Sequence, residues 1–181
     1  MRADAVRNRA KVLDAAREAF AVEGLAVPLD EIARRAGVGA GTVYRHFPTK
    51  EALFEAVIAD RLLALARDAE ARLASDGDAG EEFFGFFFAT IEDADAKADL
   101  AEALAAVGFQ PETRLAAGHL ADGLRLLLER AQQAGSVRVD VTVDDLHALA
   151  LGAMTAEKRA AAHPAAEPGK LTRIICDGLR T

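Results

Sequence analysis

One cysteine, Cys176, is all the thiol chemistry that 181 residues contain. An internal disulfide and a multi-cysteine zinc site are therefore excluded, and the usage suits a reducing cytosol. Proline is scarce, five in all, and no low-complexity run occurs, which argues against disorder. Long apolar runs are missing too. The stretch from Leu100 to Phe109 is interrupted by an acid and falls short of a bilayer span. Met1 to Lys11 is charged and leads directly into a helical pattern, so no signal peptide is expected. Neither HxxxH nor CxxC is present, nor a phosphate-binding glycine loop or nucleophile elbow. No metal, cofactor or catalytic set is expected, and an enzyme reading has no support.

What is present is enough apolar residue, 51% of the chain, for one or two packed domains. Net charge is −7, but it is not evenly spread. Residues 1–50 carry nine Lys and Arg against six Asp and Glu; residues 51–181 carry thirteen against twenty-three. A mildly basic head on an acidic body suits a protein of which only the head approaches phosphates.

Within the head, Leu29, Ile32, Ala33 and Ala36 have helical spacing, and Gly37 can take the left-handed conformation that ends a helix. A second short helix is expected from Ala40 to Phe47, stopped by Pro48. Two short helices around a glycine turn make a helix-turn-helix, whose second helix enters a major groove. Val43 and Phe47 share the face that closes on the core, while Thr42, Tyr44, Arg45 and His46 carry groups that bond phosphates or base edges. Ahead of the hairpin, Val12, Ala16, Ala19 and Phe20 predict a helix ended by Gly24, behind a basic lead of Arg2, Arg7, Arg9 and Lys11.

The wording IARRAGVGAGTVYRHFPTKEALFEAV resembles the signature of the TetR family of bacterial transcriptional regulators, IA..AGVS.GT.Y.HF..K..L., over about a quarter of the chain. The resemblance implies an all-α chain: an N-terminal three-helix helix-turn-helix DNA-binding domain, residues 1–50, followed by a helical effector-binding and dimerisation domain, residues 51–181. It implies a DNA-binding set of Ala40, Thr42, Val43, Tyr44, Arg45, His46, Thr49 and Lys50, with Tyr44 and Lys50 on phosphates. Two departures stand out. Gly39 replaces the usual capping Ser, and Val27-Pro28 replaces a Thr that often begins the preceding helix. The implied partners are double-stranded DNA with a near-palindromic operator, a second copy of the chain, and a small apolar or amphipathic effector. A repressor in the cytoplasm, released from DNA by that effector, is the expected activity. The alternative is a DNA-binding dimer without an effector, which a body lacking any accessible cavity would favour.

The body begins with a long helix. Thr49 can cap it, and Leu53, Val57, Leu62, Leu65 and Leu73 carry it toward Ala74, where SDGDAG breaks the pattern. EEFFGFFFATIE follows, with five of the nine phenylalanines, and predicts a helix buried on most sides. A short helix over 97–107, a long one over 112–134, an extended connector VRVDVTV, a helix from Asp144, and a last helix over 171–179 complete the chain. The final two long helices, by the resemblance, pair with those of a second subunit. Candidate pocket residues are Phe83, Phe84, Phe87, Phe88, Phe109, His119 and Met154, with Glu102 or Arg125 as polar anchors. His119 has three readings: a ligand contact, a metal site begun with Asp122, or a packed boundary histidine.

Overall fold

The computed structural model describes residues 2–92, 111–163 and 166–181; the helix expected over 97–107, with Glu102 and Phe109, lies outside them. The described residues form eight α-helices: α1 Arg2–Glu23, α2 Leu29–Ala36, α3 Ala40–His46, α4 Lys50–Leu73, α5 Ala79–Glu92, α6 Pro111–Gln133, α7 Val143–Ala160 and α8 Lys170–Leu179. No strand is found among them. The expected connector of alternating valines supplies only an isolated antiparallel bridge between Val137 and Arg180.

Helix boundaries follow local chemistry. A single 3-10 turn, Gly24–Ala26, leaves α1, with Gly24 at φ +63°. At the end of α2, Gly37 has φ 64°, its N–H bonds Arg34 O at 3.2 Å, and Val38 N bonds Ala33 O at 3.1 Å. That double closure is the Schellman arrangement, which glycine accepts without steric cost. Thr49 caps α4 by accepting from Ala52 N at 3.1 Å. Thr142 and Asp145 form a reciprocal capping box on α7. The carboxylate of Glu157, late in α7, caps α8 from outside, accepting from Gly169 N at 3.2 Å and Thr172 N at 3.0 Å.

Two cores form. The head core gathers Val12, Leu13, Ala16, Phe20, Ile32, Val43 and Phe47 with Leu53, Phe54 and Val57 from the start of α4. The body core gathers Ala69, from late in α4, with Phe83, Phe84, Phe86, Phe87, Ile91, Leu127, Leu128, Leu146 and Leu179. Helix α4 therefore belongs to both. In the body it lies close against α6, where a Cβ on Gly123 would stand 2.8 Å from Ala69 Cβ. Its far end is held by Arg130 of α6, whose guanidinium donates to the carbonyls of Arg72 (3.3 Å), Leu73 (3.2 Å), Ser75 (3.1 Å) and Gly77 (2.9 Å). One side chain thus satisfies carbonyls that a helix end leaves without intrahelical partners.

Candidate nucleic-acid interface and effector groove

Helix α3 starts after Gly39, which offers no side-chain cap, and ends at Phe47 before Pro48. Val43 is 0% exposed and Phe47 4%, so both hold α3 onto α1 and α2. That burial corrects one expectation: Val43 supports the recognition helix from behind and cannot present itself to a base. Ala40, Gly41, Tyr44, Arg45 and His46 are exposed on the outer side, and Thr42 is half-buried. Ala40 and Gly41 bring no side-chain donors, leaving polar base contact to Thr42, Arg45 and His46.

The surroundings of α3 set its electrostatics. Tyr44 is 46% exposed, and the Asp30 carboxylate beside it pushes its phenol above the ordinary value, with partial burial and the hydrogen bond donated to Asp30 adding to the effect. Lys50 is half-buried and donates to the Leu25 carbonyl at 2.8 Å, tying the first turn of α4 to the turn between α1 and α2. Thr49 is engaged as the α4 cap, while its hydroxyl and, more strongly, the backbone N–H of Glu51 draw the Glu51 carboxyl down. On α2, Glu31 accepts two bonds from Arg34 at 2.7 Å and one from Arg35 at 2.8 Å, and Arg35 also pairs with Glu23 at 2.6 Å. Those bonds, Arg34 first and Arg35 second, hold the Glu31 carboxyl at about 2. Arg9 of α1 lies 5.7 Å from the Phe47 ring centroid, a cation–π distance. It joins α1 to the end of the recognition helix, a link that no periodicity within one segment could signal.

In the body, the expected pocket residues separate. Phe83 and Phe87 stack at 6.1 Å and are fully buried, and Met154 is half-buried against the same core. His119 and Arg125 are exposed on α6, and Arg125 pairs with Glu129 at 2.9 Å. Phe84 and Phe88 do border a groove, of about 420 Å³, whose other walls are Gly85 and Ala89 of α5 with Arg173, Cys176, Asp177 and Arg180. The volume lies in the range of small-molecule sites, roughly 300–1,000 Å³. Arg173 and Arg180 were not legible as pocket residues, because they come to α5 from about ninety positions further along the chain. Among the described residues no group of three or more His, Cys, Asp or Glu is placed to hold a metal ion. Nor is any described helix long and apolar enough to cross a membrane.

Residues 12–57 match the family described as bacterial regulatory proteins, tetR family, and residues 78–181 match the C-terminal domain of SbtR-like transcriptional regulators. The chain is 44% identical to a TetR transcription regulatory protein from Mycobacterium vanbaalenii, covering 99% of both chains with a TM-score of 0.77. It is 34% identical to a TetR transcriptional regulator from Streptomyces coelicolor, over 95% of this chain and 98% of that one, with a TM-score of 0.75. Over 67 residues it is 43% identical to the HTH-type transcriptional regulator SrpR of Pseudomonas putida, 36% of this chain and 32% of that protein. The match therefore spans about a third of SrpR's length.

Proposed function

The chain belongs to the tetR family of bacterial regulatory proteins, and from that premise we propose that it is a homodimeric, sequence-specific DNA-binding repressor released from its operator by a small molecule. The observation that carries the reading is α3 itself. Buried Val43 and Phe47 fix it from behind, while Tyr44, Arg45 and His46 face outward from a head carrying net positive charge. Residues 1–50 are the DNA-binding head and 51–181 the effector-binding and dimerising body. Ala40, Thr42, Arg45 and His46 meet bases, Ala40 through thymine methyls, whereas Tyr44, Thr49 and Lys50 meet backbone phosphates.

A helix of seven residues reads few bases, so two heads are needed, at half-sites about one turn, roughly 34 Å, apart. Helices α7 and α8 are suited to pairing. Leu151 is 46% exposed and Ile174 57%, large apolar side chains beside the small Ala148 and Gly152. Effector binding in the body tilts α4, which has residues in both cores, and moves the heads away from groove spacing. By linkage the effector binds the DNA-incompetent state more tightly.

The test is selection of bound duplexes from random DNA by purified protein at fixed salt, with stoichiometry read on the winner. A near-palindrome bound by two chains is expected. Enrichment of no sequence, by protein shown to be free of bound small molecules, would overturn specific readout by α3.

A further inference from the structure

We propose that the groove between α5 and α8 binds an amphipathic carboxylate, its apolar part against Phe84, Phe88 and Ala89 and its carboxylate on Arg173 and Arg180. The inference rests on the reading that the body takes a small-molecule ligand, and it adds the place and the chemical class. Three observations on this groove converge. Its volume of about 420 Å³ accommodates a small molecule, and its wall is mostly apolar. Its charge is opposite to that of the body around it. Residues 51–181 carry ten more acids than bases, yet among the described residues the groove gathers two guanidinium groups against one carboxylate, Asp177.

The third observation is that, among the described residues, neither guanidinium is tightly engaged by a carboxylate. Arg180 stands 3.7 Å from Asp177, and Arg173 stands 4.0 Å from Glu167 while donating to the Pro168 carbonyl at 3.3 Å. Those distances to the acids exceed charge-assisted bonding, which closes to about 2.7–2.9 Å. Arg180 lies over Phe84, its central carbon 4.0 Å from the ring centroid, a cation–π distance. A cation–π contact of this kind restrains the guanidinium at the groove and uses none of its N–H donors on an acceptor oxygen. A neutral ligand of the same shape gains the aromatic contact only.

Cys176 allows the proposal to be tested without a label, because it is the chain's single thiol and it lines the groove. It is 6% exposed, and burial pushes its thiol up, so modification is slow and sensitive to anything that covers it. The experiment measures the rate at which N-ethylmaleimide modifies the full chain against increasing 2-naphthoate, with the neutral 2-naphthalenemethanol as comparison. Naphthoate is expected to protect Cys176 saturably, and the alcohol to need about tenfold more or higher, the factor one lost charged hydrogen bond represents. Arg173→Gln and Arg180→Gln should each raise the half-protecting concentration about tenfold. Ala89→Phe, which fills the apolar end and leaves both arginines, should abolish the effect of naphthoate. Equal protection by acid and alcohol, or no protection by naphthoate up to its solubility, would overturn the proposal, and both results come from the unmodified chain. The duplex selection is independent of them. Specific DNA binding without thiol protection removes the groove and leaves the regulator, whereas protection without specific DNA binding does the reverse.

Discussion

Replacing Arg130 with methionine isolates the clamp at the far end of α4. Methionine keeps an unbranched apolar stem in the same space, so the change removes the guanidinium with little loss of packing. Four donor–acceptor contacts of 2.9 to 3.3 Å disappear. They are not four independent losses. Each terminal nitrogen serves two carbonyls, Arg72 O also accepts from Ser75 N at 3.2 Å, and water can reach Gly77 O. Leu73 O and Ser75 O, part-buried, are the acceptors that suffer most. Counting about two effective charge-assisted bonds, at about 1.5–3 kcal/mol each, gives a cost of about 3–6 kcal/mol. With a urea dependence of about 2 kcal/mol per molar, the unfolding midpoint should fall by about 1.5–3 M. Urea denaturation followed by circular dichroism measures it, and amide exchange should quicken first around residues 74–78. A midpoint shift under about 0.3 M would refute the reasoning and mean that the clamp only decorates an end already held by α5 and α6.

Three further outcomes are expected. Gly123→Ala, which sets a methyl 2.8 Å from Ala69 Cβ, should destabilise by about 1–3 kcal/mol, whereas Gly118→Ala, with open space around it on the same helix, should stabilise by about 0.5–1 kcal/mol; thermal melts of the two that move together would contradict this. Glu31 has a folded value of about 2, below its ordinary 4.5, so its stabilising contribution is complete above pH 4.5 and is lost as pH falls toward 2; a carboxyl NMR titration with a midpoint near 4.5 would contradict the Arg34 and Arg35 bonds. Arg45→Ala should relax sequence preference, while Lys50→Ala should weaken specific and random duplexes alike and flatten the salt dependence. Equal losses on both duplexes for both variants would undo that division.

The head was legible because its information is local. Gly37 needs only its own φ, Pro48 only its missing N–H, and Val43 and Phe47 lie one turn apart. The body was legible as helices but not as a site. On α6 the candidate pocket residue His119 is exposed, while the buried side is lined by Thr113, Ala116, Gly123 and Ala131, with Leu127 and Leu128. Small residues bury there because α4 comes so near, and a hydrophobic scale ranks them low. The groove was hidden for another reason. Phe84 and Arg180 meet through packing of α5 on α8, and no spacing within one stretch records such a meeting.

Glu157 bonds across from α7 to the first turn of α8, so these two helices hold their mutual angle before any second chain arrives. In a dimer built on them, association orders little that is not already ordered, and the encounter between two acidic bodies becomes the slow part. Added salt then hastens the pairing of chains by screening that repulsion, while the same salt loosens the paired heads from DNA. Ionic strength would act in opposite directions on the two steps, and occupancy of an operator would pass through a maximum rather than fall steadily as salt rises.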